Sequence, residues 1–319
     1  MDVEIERAVR DAVAEAAKQS TRFGADRLEE LGWTELLEAD EESAVRTFLD
    51  EQGRLVLSSS VLDSVILTAV GDERWAWPAT AFVYPMPGSS ACGSGEGPIG
   101  GLVFNAEADR FLVPILAGGA IRFLVVGRDA VTLQRTEGID PTLELATLTA
   151  DAELLTAADV EAEQSAVALA AGRRALAHEL IGLSTRMLEI VVNHVSVREQ
   201  FNRPLGANQA VQHKLADAKV LLEAAAAIAD EAWETPTPFA ALAAKAQASR
   251  AFDLVAAHGQ QLLGAIGYTW EHEWRRYVRR GFLLTVLLGA ADELEREIGS
   301  TLVTSGVPRL GGLSGEVAS

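Results

Sequence analysis

The twenty residues from Arg198 to Asp217 constrain the chain more than any other stretch, because they join two long helical patterns. Before them, Leu176, Leu180, Leu183, Met187, Val191 and Val195 recur at steps of three and four. After them, Val211, Leu215, Ala218, Leu222 and Ala225 do the same. Both runs have the helical period. Pro204 biases Arg203 away from the α region, and Gly206 can take positive φ. The pattern predicts two antiparallel helices meeting at a short hairpin. Arg198 and Phe201 fall on the last turn of the first helix, and Gln209 at the start of the second. Taken alone, this is a helical hairpin with a charged rim.

The order of residues says more. Arg198-x-x-Phe201-x-x-Pro204-Leu-Gly206-x-x-Gln209, followed by Leu215-Ala-Asp217, closely resembles the signature joining two C-terminal-domain helices of the acyl-CoA dehydrogenases. A second segment, Gln261-Leu-Leu-Gly264-Ala265-Ile-Gly267-Tyr268-Thr269, is similar to that family's Gln-x-x-Gly-Gly-x-Gly-Tyr-Thr run and lies at a familiar distance from the first. Read without the first, it is a helix C-terminus closed by glycine. The resemblance implies that Arg198, Phe201, Asn208, Gln209, Gln261, Gly264 and Ala265 reach across a subunit interface to the adenosine-diphosphate part of a neighbour's FAD. The residue types suit that task. An Arg fork clamps a diphosphate, and a Gln both donates and accepts.

The chain in order supports the domain sequence this family would have: mainly α, with a small β domain between an N-terminal helical domain and a C-terminal four-helix bundle. Residues 1–74 read as helices, the first ending near Ser20, with Glu41 to Val70 continuing helical. Leu31-Gly-Trp-Thr-Glu-Leu-Leu resembles an early turn of the family. Residues 75–155 shift to β-rich runs split by Gly, Pro, Asn and Asp, a small antiparallel sheet domain. Ala117-Gly-Gly-Ala120 reads as its hairpin turn. Residues 156–304 return to helix, with long patterns near 160–197, 208–232, 238–264 and 282–303. Residues 305–319 form a Gly/Ser-rich tail.

The chemistry expected of the family is missing at its usual places. An acyl-CoA dehydrogenase removes an α-proton with a Glu while hydride leaves for flavin. One of the family's two base positions falls on Leu288, in Leu287-Leu-Gly-Ala290. The other falls on Gly172, ahead of Arg173. The catalytic set of this chain is therefore empty. The Trp-Ile-Thr-like strand that faces a flavin ring is matched loosely by Leu102-Val-Phe104, and Pro85-Met-Pro-Gly-Ser-Ser90 is at most a remnant of the family's Thr-Glu-Pro-Gly loop. Residues that would serve a neighbour's FAD are present, and those that would serve the chain's own flavin are not.

That asymmetry resembles the two-gene acyl-CoA dehydrogenases of bacterial steroid catabolism. It implies a heterotetramer in which a catalytic partner subunit supplies the base, FAD is shared with that partner, the substrate is an acyl-CoA of a bulky polycyclic kind, and electron-transfer flavoprotein is the acceptor. Two alternatives stay open: an active homo-oligomer with a displaced base, and a flavin-free scaffold of the same fold. The Trp274 to Arg280 cluster, rich in arginine, is expected to form ion pairs between subunits.

Net charge is -19, so a nucleic-acid partner is not expected. A lone cysteine, Cys92, excludes an internal disulfide. Five scattered histidines with no Glu-x-x-His pair give no metal expectation. The charged N-terminus and the lack of an uninterrupted apolar run predict a cytoplasmic protein free of membrane.

Overall fold

The computed structural model describes residues 3–19, 22–94, 97–136, 138, 140–143, 145–158, 160–200 and 202–306. The expectation for the tail beyond residue 306 lies outside the described residues.

Four helices open the chain: α1 (Val3–Gln19), α2 (Ala25–Glu30), α3 (Trp33–Leu55) and α4 (Val61–Val70). The helix expected to run from Glu41 to Val70 is two helices. Val56 takes φ 53 and its N–H closes back on Gln52 and Gly53. The freed residues Ser58–Ser59 (β2) then pair in parallel with Arg22–Phe23 (β1). Leu28, Trp33, Phe48, Val65 and Ile66 are fully buried between these helices and the rest of the core. The Trp33 indole donates to Ser64 Oγ at 2.7 Å, so even its polar edge is satisfied.

Eight strands follow: β3 (Thr80–Phe82), β4 (Tyr84–Pro85), β5 (Pro98–Val103), β6 (Arg110–Ala117), β7 (Ala120–Gly127), β8 (Thr132–Arg135), β9 (Ala146–Asp151) and β10 (Thr156–Ala157). They form two four-stranded sheets, ordered β10-β7-β6-β3 and β4-β5-β9-β8, rather than one sheet. One pair, β3 with β6, is parallel. The chain changes sheet at Val83, and so both sheets receive strands from one continuous run.

Side-chain alternation along β6 shows what each face does. Phe111, Val113 and Ile115 enter the core between the sheets, whereas Leu112 joins Phe82 and Phe123 against the helices. Both faces are covered from Phe111 to Ile115, which is why that stretch reads as an unbroken apolar run. The β6–β7 hairpin turns on Gly118 and Gly119 at φ 61 and 83, the two positive-φ positions of a type I′ turn.

The last part is helical: α5 (Ala162–Val197), α6 (Gln209–Glu234), α7 (Pro238–Leu263), α8 (Trp274–Val286) and α9 (Ala291–Ser305). A two-residue pair, Glu199–Gln200 (β11) with Arg203–Pro204 (β12), lies between α5 and α6. The run expected at 282–303 is split between α8 and α9, because Leu288 and Gly289 take φ 55 and 115 and stop the helix.

Helix α5 packs against α3, α4, α6 and α7. By length and composition alone it passes for a membrane-crossing helix, although Arg173, Arg174, Glu179 and Arg186 interrupt its apolar residues. Its apolarity has a physical cause in the fold, since it is the central core helix and buries Arg174, His178 and Glu179 as well as its leucines. Its crossing with α3 is unusually close. A Cβ on Gly53 would lie 2.2 Å from the Glu179 carbonyl oxygen, and one on Gly182 would lie 2.1 Å from that of Asp50. Only two glycines let these backbones meet.

The arginine cluster of α8 is not an all-surface feature. Arg280 is completely buried and bonds within the chain. Its Nε lies 2.6 Å from Asp140, its Nη1 lies 3.1 Å from Glu179 and also reaches the Leu57 carbonyl, and its Nη2 donates to Thr142 at 3.1 Å. One side chain thereby ties α8 to α5, to the α3–α4 connection and to the segment before β9. The expectation of intersubunit pairing does not hold for Arg280.

Candidate functional site

The helical hairpin forms as expected in outline and differs in detail. Helix α5 ends at Val197, and Arg198 is already extended at φ -74, ψ 115. Its N–H donates to His194 O at 2.9 Å and its carbonyl accepts from Leu205 N at 2.8 Å. The positive φ falls on Asn202 (61) rather than on Gly206. Gly206 serves close packing instead, its absent Cβ facing the Val195 carbonyl at 3.3 Å. Phe201 lies outside the described residues.

Asn208 stands at the N-cap of α6 and is spent on the hairpin. Its amide donates to Leu205 O at 3.0 Å, and its Oδ1 accepts from Arg203 Nη2. Gln209, the first residue of α6, is exposed.

The second segment forms the end of α7. Gly264 takes φ 64, ψ -138, with open space where a Cβ would be. Neighbouring Gln260 pins the corner, its amide donating to Gly264 O at 3.3 Å and its Oε1 accepting from the Trp274 indole at 3.0 Å. That leaves Gln261 exposed beside a backbone that a ligand can approach.

The two segments meet in one groove of about 670 Å³. Arg198, Gln261, Gly264 and Ala265 line it, and so do His194, Gln200 and Lys214. Asn208 and Gln209 are not in its wall. His194 and Lys214 were missed in the sequence. The signal for His194 was its place one helical turn before Arg198, on the same face. Lys214 shares a wall with Ala210, also one turn away.

Among the described residues no carboxylate lines this groove, although the chain carries net charge -19. Of four other clefts, three have acids: Glu38, Glu41, Asp72 and Glu73 in one, Glu293 and Glu297 in another, Glu189 in a third; the fourth, a small one beside Arg22, has none. The groove is thus locally cationic on an acidic protein, a setting that selects anions. Burial holds the His194 imidazole below its ordinary pKa, and the nearby His272 and Arg198 push the same way.

The two positions where the family's base would stand come together in space. A Cβ built on Gly172 would lie 2.8 Å from Leu288 Cδ1 and 2.8 Å from Ile66 Cγ1. Leu288 is buried, and Arg173 Nε donates to its carbonyl at 3.1 Å. An apolar contact therefore fills the place, with no group able to take a proton. The adjoining cleft, about 280 Å³, is bordered by Pro85, Ser89, Ser90, Arg173, Glu293 and Glu297. Of its two carboxylates, Glu293 accepts from Ala290 N at 3.1 Å and so caps α9, and Glu297 is exposed.

The residues loosely matched to a flavin-facing strand are core residues. Leu102 is buried in β5, and the Phe104 ring packs edge-on to Tyr84 at 4.9 Å. The Tyr84 hydroxyl donates to the buried Asp63 at 2.7 Å. Among the described residues no group of three His, Cys, Asp or Glu is placed to hold a metal ion.

Comparisons with known proteins agree with this architecture. The acyl-CoA dehydrogenase C-terminal domain family matches residues 163–302. Acyl-CoA dehydrogenase IpdE2 of Mycobacterium tuberculosis is 37% identical over 199 residues, which is 62% of this chain and 59% of that protein. The chain thus spans about six tenths of the length of that relative. Among solved structures, the ChsE4-ChsE5 complex from Mycobacterium tuberculosis superposes with a TM-score of 0.73 at 20% identity, covering 97% of this chain and 99% of that one. The Tcur3481-Tcur3483 steroid ACAD G363A variant gives 0.71 at 23% identity, covering 94% and 97%. At these identities the structural likeness is one of fold, mainly α with a small β part. Residues 163–302 thus match the acyl-CoA dehydrogenase C-terminal domain, and the chain as a whole has the fold of these solved structures.

Proposed function

We propose that this chain is the companion subunit of a heteromeric acyl-CoA dehydrogenase. It lends an arginine-bearing groove to the FAD of a catalytic partner and carries no base of its own. The observation that supports this most directly is the contrast between two places. The groove is acid-free and gathers both motif segments, whereas the two base positions are an apolar contact between Gly172 and Leu288.

The groove fits an anionic dinucleotide by three features: the Arg198 fork, the Gln261 amide and the unobstructed backbone at Gly264. Arg198, Gln261, Gly264 and Ala265 hold the diphosphate end, with Phe201 and Gln209 as further members of the set. Asn208 shapes the hairpin. Bound FAD supplies the hydride acceptor for α,β-dehydrogenation of an acyl-CoA thioester. The steroid class named for one structural relative is the first substrate class to try, and an electron-transfer flavoprotein is the expected acceptor. The chain divides into a helical part (1–74), a sheet part (75–155) and a bundle (156–304), and it works in the cytoplasm.

The test is flavin per complex, read by visible absorbance, on the chain alone and after co-expression with a full-length dehydrogenase partner. A colourless chain and a yellow, active mixed complex support the proposal. Stoichiometric flavin with turnover on the chain alone overturns it and points to a displaced base. No flavin in any mixed complex leaves the scaffold reading. Arg198→Ala should lower FAD retention by the complex, and unchanged retention would remove Arg198 from the site.

A further inference from the structure

The groove holds more positive charge than the two motif segments supply. His194 precedes Arg198 by one turn of α5, and Lys214 faces both from α6. Among the described residues, neither Arg198 nor Lys214 forms an ion pair, and no carboxylate lines the groove. The His194 ring has no hydrogen-bond partner there either. Three groups able to carry positive charge therefore face one open space on a protein of net charge -19. Such an arrangement is costly without a ligand, because like charges repel across a partly buried gap.

The groups around His194 are defined on every side. Arg198 lies on its own helix, and Lys214 stands on α6. His272 reaches it from the α7–α8 connection, where its Nδ1 accepts from Trp274 N at 3.1 Å. His258 holds the Lys214 carbonyl at 3.1 Å and so fixes that part of α6. With only cations nearby, His194 stays neutral in the empty groove near neutral pH. A diphosphate bridging Arg198 and Lys214 would reverse the local sign and draw a proton onto it.

We propose that His194 and Lys214 complete the diphosphate site begun by Arg198, and that the proton on His194 makes its hold on a nucleoside diphosphate pH-dependent. The inference rests on the reading of the groove as a diphosphate site. It adds two residues to that site and a proton-linked affinity. In consequence the cofactor would be held more tightly as pH falls and released more readily as pH rises.

The probe is ADP-ribose, a diphosphate diester whose charge does not change across the range used. Titration calorimetry on the full chain at pH 5.5 and 8.0, both above the isoelectric point near 4.7, reads the affinity. One added charge at a partly screened site corresponds to roughly a three- to ten-fold change in affinity. The wild type should bind tighter at pH 5.5 by about that factor. His194→Gln should bind at the weak level at both pH values, and His194→Arg at the tight level at both. Lys214→Met should bind several-fold more weakly with the pH dependence retained.

A pH dependence unchanged in His194→Gln overturns the role of His194, and unchanged affinity in Lys214→Met overturns that of Lys214. Loss of binding in Arg198→Ala alongside either result would leave the diphosphate reading standing while this inference fails. No binding by the wild type at either pH overturns the inference, whereas the diphosphate reading is decided separately by FAD retention in the mixed complex. Free coenzyme A, which also carries a diphosphate, distinguishes the source: tighter binding of coenzyme A than of ADP-ribose would assign the groove to the thioester rather than to the flavin cofactor.

Discussion

Replacing Arg280 by Met should be among the most damaging single changes to this protein. Arg280 has no exposed side-chain surface, and its partners Asp140 and Glu179 have only 4% and 3%. The substitution removes a charge-assisted bond to each carboxylate and leaves both buried with no cation. Breaking a buried pair from one side costs about 3–5 kcal/mol, most of it the penalty on the charge left behind. Here two charges are left, so the upper part of that range applies unless they protonate. Burial already holds Glu179 above its ordinary pKa, even with Arg280 beside it. Without the guanidinium it rises further and takes up a proton on folding. The deficit should therefore grow from pH 5 to pH 8, because the unfolded carboxylate has lost its proton over that range and the folded one has not.

Thermal unfolding followed by far-ultraviolet circular dichroism reads the effect. For a chain this long each kcal/mol shifts the midpoint by roughly 2–3 °C, so a loss of about 8–15 °C is expected at pH 8. The triple variant Arg280→Met, Asp140→Asn, Glu179→Gln removes the orphaned charges and should recover much of the loss. Limited proteolysis should show cleavage near Asp140 and Thr142 first in the single variant, since Arg280 holds both to the bundle. A single-variant loss under 2 °C, or a triple variant no better than the single, would refute the reasoning.

Three further outcomes follow from buried groups and close contacts. Lys245 is fully buried with its pKa lowered to about 7 by burial first and then by Arg173. The unfolded chain holds that proton up to its ordinary pKa of 10.5, so this group makes stability rise with pH between about 7 and 10.5, and Lys245→Met should flatten that part of a denaturant-midpoint profile. Asp63 has the opposite sign: burial raises it from 3.8 to about 7, the folded state keeps a proton the unfolded state has lost, and its contribution falls as pH rises through that window. Asp63→Asn should abolish that fall in the same assay while keeping an acceptor for Tyr84. Gly182→Ala would place a methyl 2.1 Å from the Asp50 carbonyl oxygen, forcing α3 and α5 apart. A loss of at least about 1–3 kcal/mol in urea unfolding is expected, and a neutral result would show that this crossing yields easily.

Much of the fold was readable because period and punctuation agreed. The core positions of α5, such as Leu176, Leu180, Leu183 and Met187, lie where three- and four-residue spacing puts them. The turn at Gly118 and Gly119 formed where two glycines permit positive φ. What escaped was information that only tertiary contact creates. The break between α8 and α9 sits on Leu288, a residue with no local reason to leave a helix, and it is held there by Arg173 from α5. The division into two sheets depends on a switch at Val83, inside a run that reads as one strand. Arg280 was expected to pair between subunits with the rest of its cluster because its partners within the chain, Asp140 and Glu179, are remote in sequence. For the site, the motif order located Arg198 and Gln261 and brought their two ends together, but it passed over His194 and Lys214, which belong to the groove through helix geometry rather than through a pattern. It also gave Asn208 a ligand role, whereas its side chain closes the hairpin.

The contact between Gly172 and Leu288 has a consequence for how such a chain can change. Each residue occupies the room the other would need. A glutamate placed at 172 would run into Leu288 and Ile66, and one placed at 288 would enter a site whose neighbour Ile66 is apolar and whose carbonyl is already fixed by Arg173. At 172 the carboxylate would be buried among apolar side chains without a partner, which is unfavourable before it could remove any proton, whereas Leu288 borders a cleft that also holds Arg173 and Arg296. A side chain at 172 therefore needs Leu288 or Ile66 to give way first. Packing thus holds position 172 apolar, and sterics as much as chemistry keep a carboxylate out of it.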